Sequence, residues 1–195
     1  MEFAHISALA LFAFVTTFTP GPNNIMLMTS GANVGFARSI PHLLGVTFGF
    51  SAMLMIVGAG LTGAFNSYPF LHTVLKVISL IYLIYLAVKI ATSKPTQNTD
   101  GYRPMNFFSA AMFQWMNPKG WTMALTAVSV YNPSSSWLNL LIIATVFIFA
   151  NLPSTSIWVV AGQHLQTWLT TPKRVKSFNY VMALLLIGST FPMLH

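Results

Sequence analysis

A lysine lies next to an Asn-Pro pair in the middle of an apolar stretch of this sequence. Lys119 follows Asn117 and Pro118 in the segment Gln114-Trp115-Met116-Asn117-Pro118-Lys119-Gly120. We predict that this segment interrupts a helix, because proline lacks a backbone donor and disfavours helix at the residue before it. An ammonium group binds carboxylates, and primary amides both donate and accept hydrogen bonds. Within a membrane span such a lysine costs of order 3 kcal/mol. We therefore expect it to face a cavity and to bind carbonyls, amides, water or an anionic ligand, unless it snorkels to the membrane surface.

The segment Thr19-Pro20-Gly21-Pro22-Asn23-Asn24 combines helix breakers with two more amides. Proline lacks a backbone donor and disfavours helix at the residue before it, and Gly21 accepts almost any dihedral angles. We predict that one helix ends here and that a second half-helix covers Ile25–Phe36, with Asn23 or Asn24 as its N-cap. In a membrane, broken backbone occurs only inside protein or beside a water-filled cavity.

A third candidate break is Asn151-Leu152-Pro153, as a packing kink or as part of a cavity lining. Breaks at corresponding places in two halves of a membrane chain indicate a substrate site between them. The predicted substrate-binding residues are Thr19, Pro20, Gly21, Pro22, Asn23, Asn24, Gln114, Asn117, Pro118, Lys119 and Asn151.

Charge is scarce along the whole chain. Of 195 residues, nine are Lys or Arg and two are acidic, Glu2 and Asp100, so that 6% are charged, against roughly 25% in soluble domains. The apolar fraction is 55%, and mean hydropathy is +0.68. A soluble globule of this size cannot cover its surface with so few charges. These values exclude a soluble enzyme, a disordered chain and a nucleic-acid binder, and they leave a polytopic membrane protein.

The chain contains no Cys. This composition excludes disulfides, thiolate catalysis and Cys-ligated zinc, and no cofactor is predicted.

Charge-free runs and turn signals predict the membrane spans. We expect an all-α membrane protein with six transmembrane helices, and we expect the first span to be retained rather than cleaved as a signal peptide. The whole chain, 1–195, is then one transmembrane domain, with a first repeat at about 1–92, a cytoplasmic loop at 93–106 and a second repeat at about 107–195. The predicted spans are about 3–20, 41–65, 70–92, 107–130, 137–161 and 177–194, with a hairpin at Asn132–Ser136 between the fourth and fifth.

Positive residues predict the orientation, because Lys and Arg are enriched on the cytoplasmic side. Loops 2 and 4 and both termini carry none, and seven positives lie on or beside loops 1, 3 and 5. Both termini should therefore face outward. Since the first three spans begin outside and the last three begin inside, a shared fold makes the halves inverted repeats. The seven residues are Arg38, Lys89, Lys94, Arg103, Lys173, Arg174 and Lys176.

A Pro-Gly-Pro-Asn element is combined here with downstream glycines and a second set of motifs in the other half. The residues are Thr19 to Asn24, Gly31, Gly35-Phe36, Arg38, Gly45, Gly49, Gln114, Asn117-Pro118-Lys119, Trp158 and Ala161-Gly162-x-x-Leu165. This combination resembles the LysE/RhtB family of amino-acid exporters over nearly the whole chain. Within that family, it is most similar to the exporters of small neutral amino acids, including the cysteine and O-acetylserine exporter.

The resemblance implies a bacterial inner-membrane exporter driven by an ion gradient, with protons as the expected coupling ion. Its partners would be an amino acid, protons and the lipid bilayer. Whether the protein forms a homo-oligomer is left open. No acid lies within a predicted span, which argues against a dicationic substrate because its second charge would lack a counter-ion. The proton carrier is left open between a histidine, Lys119 and the substrate itself.

We hypothesise that the two broken helices meet near the membrane midplane. The carboxylate of a neutral amino acid would meet the N-terminus of the half-helix after Pro22, assisted by Lys119. Its ammonium would meet amides and freed carbonyls. Two alternatives are a non-transporting membrane scaffold, which leaves the paired breaks unexplained, and an intramembrane enzyme, which would need a nucleophile and base or a metal cluster. A channel would need a ring of charge or a filter motif.

Overall fold

The fold is entirely helical in the residues that this computed structural model describes, which are 3–61, 67, 68, 70–92 and 102–188. The predicted all-α class is therefore confirmed for these ranges. A π-helical turn, Val57–Leu61, follows the second α-helix, and a 3₁₀ turn, Gln114–Met116, precedes the fifth. The α-helices are α1 (Phe3–Phe18), α2 (Pro22–Ile56), α3 (Phe70–Ala91), α4 (Phe107–Phe113), α5 (Pro118–Tyr131), α6 (Trp137–Gln166) and α7 (Pro172–Gly188).

Two of these helices have the length and hydropathy of membrane spans. Pro22–Gly60 and Trp137–Gln166 each contain a stretch of mean hydropathy 1.9. The number of spans and their orientation stay predictions. Glu2, Lys94 and Asp100 lie outside the described residues, so the described part contains no Asp or Glu.

The long helix α2 is bent at one glycine. Gly35 has φ 78° and ψ 179° inside an otherwise helical segment, and this left-handed φ is open to glycine but strained for other residues. The sequence predicted a half-helix ending at Phe36 and a separate span from about 41. In the structure a single residue separates the two helical stretches, and the second stretch begins before residue 41.

Helices α2 and α6 touch backbone to backbone. A Cβ added at Gly31 would overlap the carbonyl oxygen of Val159, and one added at Gly162 would overlap that of Met28. Glycines at helix contacts allow this approach. Gly31 and Gly162 therefore serve the packing of α2 against α6, whereas Gly35 serves the bend.

The connections around α6 partly follow the prediction. The hairpin is present at 132–136, where Asn132 Oδ1 accepts a hydrogen bond from the Ser136 N–H at 2.9 Å. At Asn151-Leu152-Pro153 the helix is not interrupted, because α6 runs through Pro153, and Asn151 lines the first of the cavities described below. Helix α7 begins at Pro172, five residues earlier than expected, and residues 189–195 lie outside the described part.

The apolar core has separate clusters that border the two cavities described below. One joins α1, the second stretch of α2, α5 and α6, with Phe50 and Phe147 at its centre and their ring centroids 5.0 Å apart. Another joins the start of α2 to α3 and α7 and includes Met26, Leu86 and Met182.

Candidate functional site at two interrupted helices

Both predicted interruptions exist, and both are followed by a helix that begins with proline. After α1, Gly21 is fully extended (φ −173°, ψ 178°) and Pro22 opens α2. After the 3₁₀ turn, Asn117 is extended (φ −95°, ψ 106°) and Pro118 opens α5. Proline suits the first helical position, where a backbone N–H would lack a partner in any case. Neither helix start has a side-chain cap, so the prediction that Asn23 or Asn24 caps α2 is wrong.

Lys119 connects the two breaks. Its Nζ donates a hydrogen bond to the Thr19 carbonyl oxygen at 2.6 Å and lies 3.5 Å from the Pro20 carbonyl oxygen. These carbonyls follow the C-terminal end of α1, where the helix dipole is negative. As the second residue of α5, however, Lys119 lies at the positive end of its own helix. Its own helix end therefore disfavours the ammonium, whereas the partner helix end stabilises it.

Gly21 leaves the space that Lys119 occupies. A Cβ at Gly21 would lie 2.8 Å from Lys119 Cδ and 3.2 Å from Nζ. The lysine side chain therefore crosses directly over the backbone of the first break.

The carbonyls freed at the end of α1 are satisfied by side chains from elsewhere. Asn24 Nδ2 donates to the Thr17 oxygen at 2.7 Å and to the Thr19 oxygen at 2.9 Å. Ser154 Oγ on α6 donates to the same Thr17 oxygen at 2.8 Å. Asn24 thus stabilises the end of α1 rather than the start of α2.

An amide pair joins the two broken helices. Asn23 Nδ2 donates to Gln114 Oε1 at 2.8 Å, and Gln114 Nε2 donates to Asn23 Oδ1 at 3.2 Å and to the Ala110 carbonyl at 2.9 Å. Gln114 is fully buried. Removing one of the two amides is costly, since the other then loses a hydrogen bond across the two helices.

A small polar cavity lies where these elements meet, and we call it the Lys119 cavity. Its volume is about 30 Å³, which is room for one or two waters at about 10–15 Å³ each. Two buried amide atoms, Asn117 Oδ1 and Asn151 Nδ2, have no hydrogen-bond partner among the described residues. Six of the predicted site residues line the cavity, namely Gly21, Asn23, Asn24, Asn117, Lys119 and Asn151.

A model of the LysE type translocator family matches residues 14–195. The chain belongs to the LysE family. Among curated LysE-family relatives, the cysteine/O-acetylserine efflux protein of Klebsiella pneumoniae is 31% identical over 189 residues, which cover 93% of each chain. The proteins of the same name from Escherichia coli K12 and Salmonella typhimurium are each 30% identical, again with 93% of each chain covered. No solved structure is significantly similar to the chain.

LysE-family membership identifies the chain as a membrane translocator rather than an enzyme. Among the described residues, no group of three or more His, Cys, Asp or Glu could hold a metal ion.

The other predicted residues of this LysE-family chain act around the cavity rather than in it. Thr19 and Pro20 contribute carbonyls to Lys119, and Gln114 binds Asn23. Pro22 and Pro118 open the two helices and do not line the cavity.

Sequence reasoning missed half of the lining. Two of these residues, Thr16 and Thr17, directly precede the first break, and Gly120 follows Lys119, so proximity to the motifs could have identified them. Met123 lies one helical turn after Lys119 on α5. Val46 and Phe50 carry no such signal, because only the tertiary structure brings the second stretch of α2 to this point. The missed residues are Thr16, Thr17, Val46, Phe50, Gly120 and Met123.

Proposed function

We propose that this LysE-family protein exports small neutral amino acids or their derivatives, such as cysteine, O-acetylserine, homoserine or threonine, from the cytoplasm across the bacterial inner membrane. The curated relatives named for cysteine and O-acetylserine efflux support this substrate class. The observation that carries the proposal is the contact of Lys119 Nζ with the Thr19 carbonyl beside a polar cavity that Lys119 lines.

The Lys119 cavity offers complementary groups to both ends of a zwitterion. A substrate carboxylate would bind Lys119 Nζ and the N-terminal end of α2, where Gly21 and Asn23 border the cavity and the helix dipole is positive. The substrate ammonium would take over the Thr19 carbonyl and the unpartnered Asn117 Oδ1. Asn151 Nδ2 supplies a further donor. No carboxylate is present in the described part to bind a second cationic group, which favours a neutral side chain.

Alternating access is the second part of the proposal. At about 30 Å³ the cavity cannot hold an amino acid, so the two broken helices must separate to admit one. The Asn23–Gln114 amide pair links these helices and would open in the same movement. Such separation is expected of a transporter in which one helix bundle rocks against the other around a central binding site.

The proposed architecture is six spans in two inverted repeats, with both termini on the outer face. Each half contains a helix, a break and a second helix that begins at Pro22 or Pro118. The bend at Gly35 follows 13 residues after Pro22, and the 132–136 turn follows the 14 residues of α5. The similar spacing supports a repeat in which the second stretch of α2 corresponds to α6, and α3 corresponds to α7.

Proton coupling is also proposed. Since the described residues include no Asp or Glu, a carboxylate relay is not available within them, and the proton would travel on a histidine, on Lys119 or on the substrate.

Purified protein in liposomes tests the function directly. Labelled cysteine, O-acetylserine, homoserine and threonine should move with saturable kinetics, and a pH gradient should change the rate. Lys119→Ala should reach the membrane but transport little, whereas Lys173→Ala is the matched control for loss of a cation elsewhere. Absence of flux for all four compounds, or wild-type flux in Lys119→Ala, would contradict the proposal.

A further inference from the structure

A second and larger cavity opens beside loop 3, and we call it the His42 cavity. Its volume is about 130 Å³, and it is lined by apolar side chains and by His42, Lys89, Tyr102 and Arg103. A dry cavity of about 150 Å³ is known to hold a molecule the size of benzene, so the His42 cavity has space for a small amino acid.

A chain of hydrogen bonds runs from Tyr102 into the protein interior. Ser30 Oγ lies 3.1 Å from Tyr102 Oη and 3.0 Å from His42 Nδ1. Ser30 and His42 are buried, with exposed fractions of 0% and 1%. Burial raises the pKa of Tyr102 to about 12, so its hydroxyl keeps its proton at physiological pH.

Either hydroxyl can be the donor between Ser30 and Tyr102, and the role of His42 Nδ1 follows its tautomer. In the arrangement in which Tyr102 donates to Ser30 and Ser30 donates to His42 Nδ1, a neutral histidine carries its proton at Nε2. His42 Nε2 is buried and has no partner among the described residues. An unpartnered buried N–H is costly and needs an acceptor.

Two cations lie at the same cavity. Lys89 and Arg103 both line it, and both are exposed on the side that the charge count predicts to be cytoplasmic. Their charges attract an anion. A carboxylate satisfies both demands, because it can accept the His42 Nε2–H and pair with a guanidinium or an ammonium.

We propose that the His42 cavity is a cytoplasmic binding site for the carboxylate of a small amino acid, with His42 Nε2 as buried donor and Lys89 and Arg103 as counter-charges. The choice of an amino acid as ligand rests on the proposed function. Asn23 borders the Lys119 cavity and Met26 borders the His42 cavity, three residues apart on α2, which is a rise of about 4.5 Å. The two sites are thus consecutive along one helix. The carboxylate would pass from the cytoplasmic cations Lys89 and Arg103 to Lys119.

The absence of Cys from the chain allows a direct binding test. Thr92 lines the His42 cavity, so Thr92→Cys would be labelled with a negatively charged methanethiosulfonate in inside-out vesicles of neutral lipid. L-serine should slow the labelling roughly fivefold at about four times its dissociation constant. L-serinamide, which lacks the carboxylate, should not slow it. Thr170→Cys, on predicted cytoplasmic loop 5, is the control and should be labelled equally with and without serine.

Second substitutions in Thr92→Cys assign the binding groups. Arg103→Gln and His42→Leu should each abolish protection by serine, whereas His42→Gln, which retains an N–H donor, should keep most of it. Lys173→Gln is the matched control and should leave protection unchanged. Arg103 is a surface residue, so its variant keeps the test valid if His42→Leu does not fold.

Several results would overturn the inference. Three of them concern serine: no protection by serine, equal protection by serinamide, or full protection in Arg103→Gln. The fourth is protection only when phosphatidylglycerol is present, which would identify a lipid phosphate as the occupant. The labelling does not depend on transport. Protection without flux would contradict the proposed function alone, whereas flux without protection would contradict this inference alone.

Discussion

Lys119 Nζ donates a hydrogen bond of 2.6 Å to the carbonyl oxygen of Thr19, one hundred residues earlier in the chain. This contact joins the start of α5 to the end of α1 and places a cation beside a polar cavity. In the proposed cycle the substrate inserts into this contact, with its carboxylate on the ammonium and its own ammonium on the carbonyl. The predictions below test this arrangement and the packing that supports it.

Replacing Lys119 with Met removes the charge and keeps most of the side-chain length. We expect transport to fall roughly 10- to 100-fold, since a hydrogen bond to a charged group contributes about 1.5–3 kcal/mol. The measurement is initial flux in liposomes at matched protein content. Lys173→Met, on an exposed residue of α7, should transport normally, and a Lys119→Met protein with normal flux would remove Lys119 from the site.

Gly21→Ala should displace Lys119 without removing it. The new Cβ would lie 2.8 Å from Lys119 Cδ, so the lysine must move away from the Thr19 carbonyl. We expect reduced flux in protein that still folds. Gly188→Ala, where the added Cβ meets nothing within 4 Å, is the matched control, and equal flux in the two variants would contradict the predicted crowding.

Gly31→Ala and Gly162→Ala should each destabilise the protein. Either Cβ would overlap backbone of the partner helix, and backbone cannot rotate aside as a side chain can. Overpacking of this kind costs about 1–3 kcal/mol or more. Thermal unfolding in detergent, followed by the monodisperse fraction, should show lower midpoints than for Gly188→Ala; unchanged midpoints would mean that α2 and α6 do not touch in this way.

The Asn23–Gln114 pair should behave as a coupled unit. Asn23→Leu leaves the buried Gln114 Oε1 without its donor, and Gln114→Leu leaves the half-buried Asn23 amide without its partner, at about 1–3 kcal/mol, whereas the double variant removes both amides. We expect a coupling free energy of about 0.5–3 kcal/mol in a double-mutant cycle of unfolding. Additive effects would indicate that the two amides do not interact.

A C-terminal fusion tests the topology. With six spans and both termini outward, green fluorescent protein fused at the C-terminus should be dark and alkaline phosphatase should be active. The same reporters inserted in loop 93–106 should give the opposite result and serve as the internal control. A fluorescent C-terminal fusion would reverse the predicted orientation.

Local chemistry explains which features could be predicted from the sequence. Two prolines around Gly21, and Pro118 after Asn117, interrupt helices in almost any context because they remove donors and clash with the preceding turn. Pro153, by contrast, lies inside the continuous helix α6. A helix tolerates proline when the lost hydrogen bond and the clash are accommodated by its surroundings, and such accommodation depends on neighbouring helices.

The partners of the amides were not predictable. Asn24 looked like an N-cap by its position, yet it binds the Thr17 and Thr19 carbonyls at the end of α1. Gly35 looked like a packing glycine by its spacing from Gly31, yet it has the left-handed φ of a bend. In each case several local roles are compatible with the residue type, and packing selects one.

By itself, the sequence determined the class of protein, the helical fold, the two breaks and the absence of acids from the predicted spans, because these depend on composition and on backbone chemistry. Only the tertiary structure decided that Lys119 binds Thr19, that Asn23 binds Gln114, and that Val46 and Phe50 line the cavity. These relationships join residues far apart in the chain, and their geometry depends on how closely glycine-lined helices approach each other.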